Sequence, residues 1–184
     1  MTSSPHIRDN TNTRRLMADV IIALLPACAA GIYFFGLRSL LVLLVTVAAS
    51  VIAEYITRIL LKREQTVGDL SAAVTGLILG MNLPPTIPLW IAIVGSVFAI
   101  VIVKQLFGGI GQNFVNPALA ARVFMVISWP VQMTRWIIPD AVSSATPLGL
   151  IKEGASAAEE LPGYFELFIG KKGGCIGEVS AAAL

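Results

Sequence analysis

Charged side chains are scarce in this sequence. Asp, Glu, Lys and Arg together make up 13% of its 184 residues, whereas 56% of the residues are hydrophobic. A soluble domain carries about 25% charged residues, so the composition indicates a protein whose surroundings are lipid rather than water. The formal net charge is only +2, and the longest basic run is two residues. These values do not favour a nucleic-acid-binding protein.

Residues that bind metals or form disulfides are also few. The single histidine, His6, lies in a polar N-terminal segment and is a poor candidate for catalysis or metal binding. Cys28 lies in an apolar run, where packing is its simplest role, and Cys175 lies in a glycine-rich stretch. Two cysteines so far apart predict neither a metal centre nor a disulfide framework.

No cleavable signal peptide is predicted. The first apolar run begins at Leu16, is too long for a signal-peptide core, and lacks a clear small-x-small cleavage site. We therefore expect this run to stay in the membrane as the first span.

Successive apolar runs predict an all-α polytopic membrane protein, because about 20 helical residues are needed to cross a bilayer. The predicted spans are residues 16–36, 40–61, 69–83, 88–107 and 116–129. The third run is unusually short and rich in Ser, Thr, Gly and Ala, which let helices approach closely. A short or broken helix is predicted there, and the fourth run is predicted as a plain apolar helix.

The segments around these runs complete the predicted organisation. Residues 1–15 form a polar tail, residues 16–129 the five-span membrane domain, and residues 130–174 an irregular extracytoplasmic region. A new apolar run starts at Cys175, and the sequence stops inside it. We therefore expect residues 175–184 to begin a sixth span of a longer protein, of which this chain is one half.

The distribution of Lys and Arg predicts the orientation. With the N-terminus inside, the inner side holds more of these residues than the outer side, which favours a cytoplasmic N-terminus. The inner set is Arg8, Arg14, Arg15, Arg58, Lys62, Arg63, Lys104 and Arg122, and the outer set is Arg38, Arg135, Lys152, Lys171 and Lys172.

A glycine-rich turn, residues 108–116, separates the fourth and fifth runs on the predicted cytoplasmic side. Gly109 and Gly111 permit backbone conformations that are closed to other residues. Asn116 followed by Pro117 predicts a helix N-cap and first helical position. Free N–H groups at a helix start favour ligand binding. An ordinary tight turn between two membrane helices explains the same pattern equally well.

A polar stretch, residues 140–149 (DAVSSATPLG), lies in the predicted extracytoplasmic region. Its composition alone is that of an ordinary polar loop between hydrophobic segments. Its hydroxyl groups are unusual in so apolar a chain, however, and the order S-x-A-T-P-L matches a flavin-attachment signal.

Four acidic residues lie within or at the ends of the apolar runs. Asp19 and Asp69 lie near the cytoplasmic ends of their runs, where solvation or the positive end of a helix suffices to explain them. Glu54 lies deeper and is a candidate for an ion path. Glu178 opens the predicted sixth span, where capping and flavin contact are equal alternatives.

Three sequence blocks together resemble a known family. SPHIRDNTNTRRLMADVIIALLPA, GGIGQNFVNPALAAR and SSATPLG look like the D subunit of the Rnf complex, which is related to the B subunit of the sodium-translocating NADH:quinone reductase. The resemblance covers the whole chain. It implies a prokaryotic inner-membrane protein about twice as long, built from two related halves and assembled with other flavin and iron–sulfur subunits.

The same resemblance implies two flavins. FMN is expected to be joined through its phosphate to Thr146, within the motif Ser143, Ser144, Ala145 and Thr146. The family usually has Gly where this sequence has Ser144. This difference does not affect the threonine of the motif. Riboflavin, bound noncovalently nearer the cytoplasm, is expected in the glycine-rich turn, and its implied binding residues are Asn113, Asn116, Gly109 and Gly111.

The implied function is electron transfer across the membrane, coupling ferredoxin and NAD redox chemistry to Na⁺ or H⁺ transport. A channel or transporter is the alternative, because the Asn116-Pro117-Ala118 triplet also occurs in aquaporins and short broken helices occur at transporter sites. Aquaporins need two such triplets, and this sequence contains one.

Overall fold

The computed structural model describes residues 12–136, 168–170 and 173–183, and within these ranges the regular structure is helical throughout. The all-α fold class is therefore confirmed for this part of the chain. The helices are α1 Thr13–Phe35, α2 Leu37–Leu60, α3 Ser71–Met81, α4 Leu89–Val97, α5 Pro117–Ser128 and α6 Pro130–Met133. A 3₁₀ turn, Val67–Asp69, precedes α3, and a π-helical segment, Phe98–Gln105, continues α4.

The two longest helices have the length and composition of membrane spans. α1 has 23 residues and a mean hydropathy of 2.0, and α2 has 24 residues and a mean hydropathy of 2.2. In the 18-residue apolar stretch of each helix, only 17% of the residues of α1 and 39% of those of α2 are buried inside the protein. Large apolar side chains such as Leu44 and Ile52 are more than half exposed. These features, together with the remaining short apolar helices, are those of a membrane-embedded protein.

The predicted short third helix is confirmed as α3, which has 11 residues and packs most extensively against α2. Glycines make this packing close. A Cβ built on Gly76 would lie 2.7 Å from the carbonyl oxygen of Thr46 and 2.8 Å from the Oγ of Ser50. Gly80 makes a similar approach to the Oγ1 of Thr46. Small residues let the two helix backbones pack together here, as the sequence predicted.

The main hydrophobic core fills the space between α2, α3, α4 and α5. Its largest fully buried members include Leu79, Leu83, Ile91, Met125 and Ile176. Ile176 is distant in sequence, and its backbone N–H donates to the Leu83 carbonyl at 3.1 Å. The segment 173–183 therefore closes the core beyond the end of α3.

Residues 173–183 form turns, although the sequence predicts the start of a sixth span at Cys175. Glycine is a poor helix former, and the segment contains Gly173, Gly174 and Gly177. The Gly177 N–H donates to the Met81 carbonyl at 2.8 Å and so serves the last turn of α3. These residues are therefore turns here, and the predicted sixth span stays a prediction.

The second half of the fourth apolar run also differs from its prediction. The plain apolar helix expected over residues 88–107 is α-helical only over Leu89–Val97 and becomes a π-helix over Phe98–Gln105. The wider turn brings two adjacent polar residues, Lys104 and Gln105, to the same acceptor, Glu54 on α2. These two contacts tie the end of the π-helical segment to α2.

A cleft between the glycine-rich turn and a buried ion pair

The start of α5 is built as its sequence predicts. Asn116 has an extended backbone, with φ −66° and ψ 121°, and Pro117 occupies the first turn of the helix. The Asn116 Oδ1 accepts hydrogen bonds from the backbone N–H groups of Ala118 and Leu119, at 3.0 and 3.4 Å. The predicted N-cap is confirmed, and the carbonyl side of the Asn116 amide is occupied by it.

The turn before α5 depends on glycine. Gly108, Gly109 and Gly111 have φ values of 118°, 106° and 80°, a region that L-residues rarely adopt. Gly109 is also close to α2, because a Cβ on it would lie 2.8 Å from the Nη2 of Arg58. Arg58 is buried and donates from Nη1 to the Glu64 carbonyl at 2.8 Å.

This turn forms one wall of a cleft of about 260 Å³. Asn113, Asn116 and Gly111 line the cleft, so three of the four residues predicted to hold a noncovalent flavin share one cavity. Gly109, the fourth, packs against Arg58 instead. Ile110 of the same turn and Pro117 of α5 also line the cleft. The other walls come from α1, α3 and the π-helical segment, and they consist of Met17, Ser71, Val74, Thr75, Ile78 and Lys104.

Each of the two asparagine amides in the turn keeps a hydrogen-bonding group that is not used among the described residues, an acceptor on Asn113 and a donor group on Asn116. Asn113 donates from Nδ2 to the Val115 carbonyl at 2.9 Å, and Asn116 accepts at Oδ1. Among the hydrogen bonds between described residues, none uses the Oδ1 of Asn113 or the Nδ2 of Asn116. The Oδ1 acceptor of Asn113 and the Nδ2 donor group of Asn116 therefore remain for a ligand.

A buried ion pair lies behind the cleft. The Lys104 Nζ lies 3.0 Å from the Glu54 Oε1, and the side chains are 3% and 0% exposed. Lys104 also donates to the Ser71 Oγ at 2.6 Å. The same Glu54 oxygen accepts from the Gln105 Nε2 at 2.7 Å and from the Thr66 Oγ1 at 3.1 Å. The π-helical segment and the residue before the 3₁₀ turn thus meet α2 at one carboxylate, and Ser71 adds α3 through Lys104.

Sequence reasoning singled out Glu54 and missed its partners. Lys104 and Gln105 stand at the end of an apolar run, and Ser71 stands at the start of a short one. A useful signal was present, because an acid and a base within apolar runs of one membrane protein are expected to pair. The π-helix that brings Gln105 to the same carboxylate has no such signal.

The other acidic candidates have local roles. Asp69 accepts at Oδ1 from the Ser71 N–H at 2.8 Å and from the Ser71 Oγ at 2.6 Å, which supports the helix-start interpretation. Asp19 is exposed on α1. Glu178 accepts from the Cys175 N–H at 3.1 Å within the turns of residues 173–183, and its predicted role at a sixth span stays a prediction.

Cys175 is buried among polar partners at the opposite end of α3 from the cleft. Its Sγ lies 3.4 Å from the Nη2 of Arg122, which also donates from Nη1 to the Asn82 Oδ1 at 2.9 Å. Burial raises the pKa of the Cys175 thiol to about 12, and the charge of Glu178 contributes to the rise. Cys175 is therefore a neutral, structural thiol at physiological pH.

The predicted FMN-attachment motif lies outside the described residues. Ser143, Ser144, Ala145 and Thr146 all belong to the segment 137–167, so their role stays a prediction.

Residues 1–184 match the family described as the NQR2, RnfD, RnfE family. The chain belongs to this family. This confirms the resemblance carried by the three sequence blocks, and it favours the redox interpretation over the channel alternative that the Asn116-Pro117-Ala118 triplet raises.

The curated relatives are named as components of redox complexes. The chain is 52% identical over its whole length to the D subunit of the Na(+)-translocating ferredoxin:NAD(+) oxidoreductase complex of Acetobacterium woodii, and 40% identical over its whole length to the proton-translocating counterpart of Clostridium ljungdahlii. It spans 59% of the length of each. Over 89% of the chain and 49% of the relative, it is 41% identical to the D subunit of the ion-translocating oxidoreductase complex of Shewanella pealeana.

Proposed function

We propose that this chain belongs to the D subunit of an ion-translocating ferredoxin:NAD⁺ oxidoreductase complex, where it holds two flavins and passes electrons across the membrane. The observation that carries the proposal is the full-length match to the family, with 52% identity to one relative named as such a subunit. Other membrane, flavin and iron–sulfur subunits of the same complex are the proposed partners. Relatives named for sodium and for protons both match over the whole chain, so the proposal does not specify the ion.

The cleft beside the glycine-rich turn suits a noncovalent flavin, for which riboflavin is our candidate. The pyrimidine edge of a flavin presents carbonyl acceptors and an N–H donor, which complement the remaining Asn116 Nδ2 and Asn113 Oδ1. Apolar side chains such as Val74 and Ile78 supply surfaces for the ring. The volume of about 260 Å³ is just below the 300–1,000 Å³ typical of small-molecule pockets. The ring therefore enters the cleft, and the ribityl chain leaves through its open side.

The covalent flavin is proposed on Thr146, within SSATPLG. A phosphodiester to a threonine hydroxyl keeps FMN attached while its ring stays available for electron transfer, which is the chemistry the cofactor supplies. Ser143 and backbone N–H groups near Thr146 are proposed to bind the remaining phosphate oxygens.

The course of α5 supports a separation of the two flavins. The cleft lies at the N-terminal end of α5, and the chain reaches the Thr146 segment only after the opposite end of this helix. Its 12 residues cover about 18 Å along the helix axis. If the Thr146 segment stays outside the membrane, as the distribution of Lys and Arg predicts, the two flavins lie on opposite sides of it. We accordingly propose a cytoplasmic noncovalent flavin and an extracytoplasmic FMN.

The test is flavin analysis of the purified complex. In-gel fluorescence of the denatured protein, with the mass of the peptide containing Thr146, should reveal covalent FMN, and acid extraction should release a second flavin. Thr146→Val should abolish the covalent flavin while leaving the protein in the membrane, and Ser144→Ala should retain it. Covalent flavin that survives in the Thr146→Val variant would move the attachment site, and a complex without any flavin would overturn the redox proposal.

A further inference from the structure

Lys104 is a buried cation at the wall of the proposed flavin cleft. Its side chain is only 3% exposed and lines the cleft. An ammonium group has three N–H donors. Two of them are used among the described residues, by the Glu54 Oε1 at 3.0 Å and by the Ser71 Oγ at 2.6 Å. One donor and the positive charge are left for whatever occupies the cleft.

The local backbone is specialised to hold this cation. The π-helical segment Phe98–Gln105 lets Lys104 and Gln105 reach the same oxygen of Glu54, at 3.0 and 2.7 Å. π-helical turns are rare and are found frequently at functional sites. Ser71, the second partner of Lys104, is itself fixed by Asp69 at the start of α3.

The ion pair is a poor device for stability alone. The Oε2 of Glu54, the Oε1 of Gln105 and the Oγ of Ser50 are buried and have no hydrogen-bond partner among the described residues. A buried ion pair stabilises a fold only when its remaining polar atoms are also satisfied, and an apolar replacement is often equal or better. Stability alone therefore does not account for the pair, and its position at the cleft suggests a role for its charge.

We propose that Lys104 sets the electrostatic potential of the cleft and stabilises the negative charge that a flavin gains on its pyrimidine edge when it is reduced. Glu54 positions the ammonium group and offsets part of its charge. The inference rests on the proposed flavin cleft and names the residue that tunes it. Charges close to a flavin ring tune its electronics, and they act more strongly in a partly dry site than in water.

The experiment is a redox titration of the intact complex that follows the noncovalent flavin, with the covalent FMN as internal reference. Lys104→Met removes the cation, and Glu54→Gln removes the offsetting anion while keeping the shape of the side chain. We expect Lys104→Met to disfavour reduction of the noncovalent flavin at least tenfold, which is 59 mV for one electron. Glu54→Gln should favour reduction, and FMN should not move in either variant.

Opposite signs distinguish this role from a structural one, because a loosened fold would shift both variants in the same direction. The double variant Lys104→Met/Glu54→Gln leaves no unpaired charge. The reduction potential of its noncovalent flavin should lie below that of the wild type. If Lys104→Met loses the flavin, Glu54→Gln decides the question: an upward shift supports the inference and any other result overturns it. The inference is also overturned if the reduction potential of the noncovalent flavin shifts in the same direction in Lys104→Met and Glu54→Gln.

The failure of the cleft itself has a different signature. Removal of the amides of Asn113 and Asn116 should release the noncovalent flavin if the cleft is its site. Retention of the flavin in that variant overturns the cleft assignment and the inference with it. Release of the flavin there, with unmoved potentials in the Lys104 and Glu54 variants, overturns the inference alone.

Discussion

The Nζ of Lys104 lies 3.0 Å from the Oε1 of Glu54, although fifty residues of chain separate them. This contact joins the end of the π-helical segment to the C-terminal third of α2, and the Ser71 Oγ at 2.6 Å adds the start of α3. One charge pair therefore links α2 to two of the elements that line the cleft, the π-helical segment and α3, and we expect it to affect stability.

Removing one partner of this pair should destabilise the protein more than removing both. Lys104→Met leaves the Glu54 carboxylate buried without its cation, and breaking a buried pair in this way costs about 3–5 kcal/mol. The double variant Lys104→Met/Glu54→Gln leaves no buried charge, so its loss should be smaller. Thermal unfolding of the detergent-solubilised complex should be measured for the wild type, both single variants and the double variant. The four values give the interaction free energy between Lys104 and Glu54. Additive losses would contradict a direct interaction.

The α2–α3 contact should not tolerate a methyl group at Gly76. A Cβ there would lie 2.7 Å from the Thr46 carbonyl oxygen and 2.8 Å from the Val47 Cα, and neither backbone atom can turn away. Overpacking of this kind costs about 1–3 kcal/mol, so Gly76→Ala should lower the thermal stability. Gly68→Ala is the matched control, because a Cβ on Gly68 meets nothing within 4 Å. Equal stability of the two variants would show that α2 and α3 are not closely packed.

The sequence predicted α1, α2, α3 and α5 because each is a run of apolar residues. The start of α5 at Asn116 and Pro117 and the short α3 were both predictable from local chemistry, since caps and small residues act over a few positions. The residues of the cleft were predictable in part, because Asn113, Asn116 and Gly111 fall in one distinctive block.

The rest depends on contacts between distant parts of the chain. Nothing near Lys104 in sequence indicates a π-helix or the partner of its ammonium group, which is the carboxylate of Glu54 on another helix. The turns at 173–183 follow from hydrogen bonds to the end of α3 at Leu83 and Met81, so an apolar run that looked helical is used to close the core. A periodicity argument cannot detect either effect.

Cys175 should resist alkylation in the folded protein. The thiolate is the reactive form, and burial together with Glu178 raises the pKa of Cys175 from 9.0 to about 12. At pH 8 the folded thiol is therefore neutral, whereas the unfolded one is partly ionised and accessible. Because the folded pKa is the higher one, Cys175 lowers stability only as the pH rises above about 9. Maleimide labelling followed by peptide mass should show little modification of Cys175 before denaturation and full modification after it. Rapid labelling of the native complex would contradict the buried position.

The last prediction concerns the two amides of the glycine-rich turn. Asn113→Ala combined with Asn116→Ala removes the free Oδ1 and Nδ2 groups at the cleft wall, and each hydrogen bond to a flavin contributes about 0.5–1.5 kcal/mol net. Losing both should weaken noncovalent flavin binding roughly tenfold or more, so the flavin should be depleted from the purified complex. The FMN that we propose on Thr146 should remain and would be the reference for quantification. Asn116 also caps α5 through Ala118 and Leu119, and the loss of that cap costs about 1 kcal/mol independently of any ligand. Asn116→Asp separates the two effects, because its carboxylate keeps the cap and removes the donor that faces the cleft. Depletion of the flavin in the Asp variant at unchanged thermal stability assigns the loss to the missing donor. Full occupancy in the double Ala variant would place the noncovalent flavin outside this cleft.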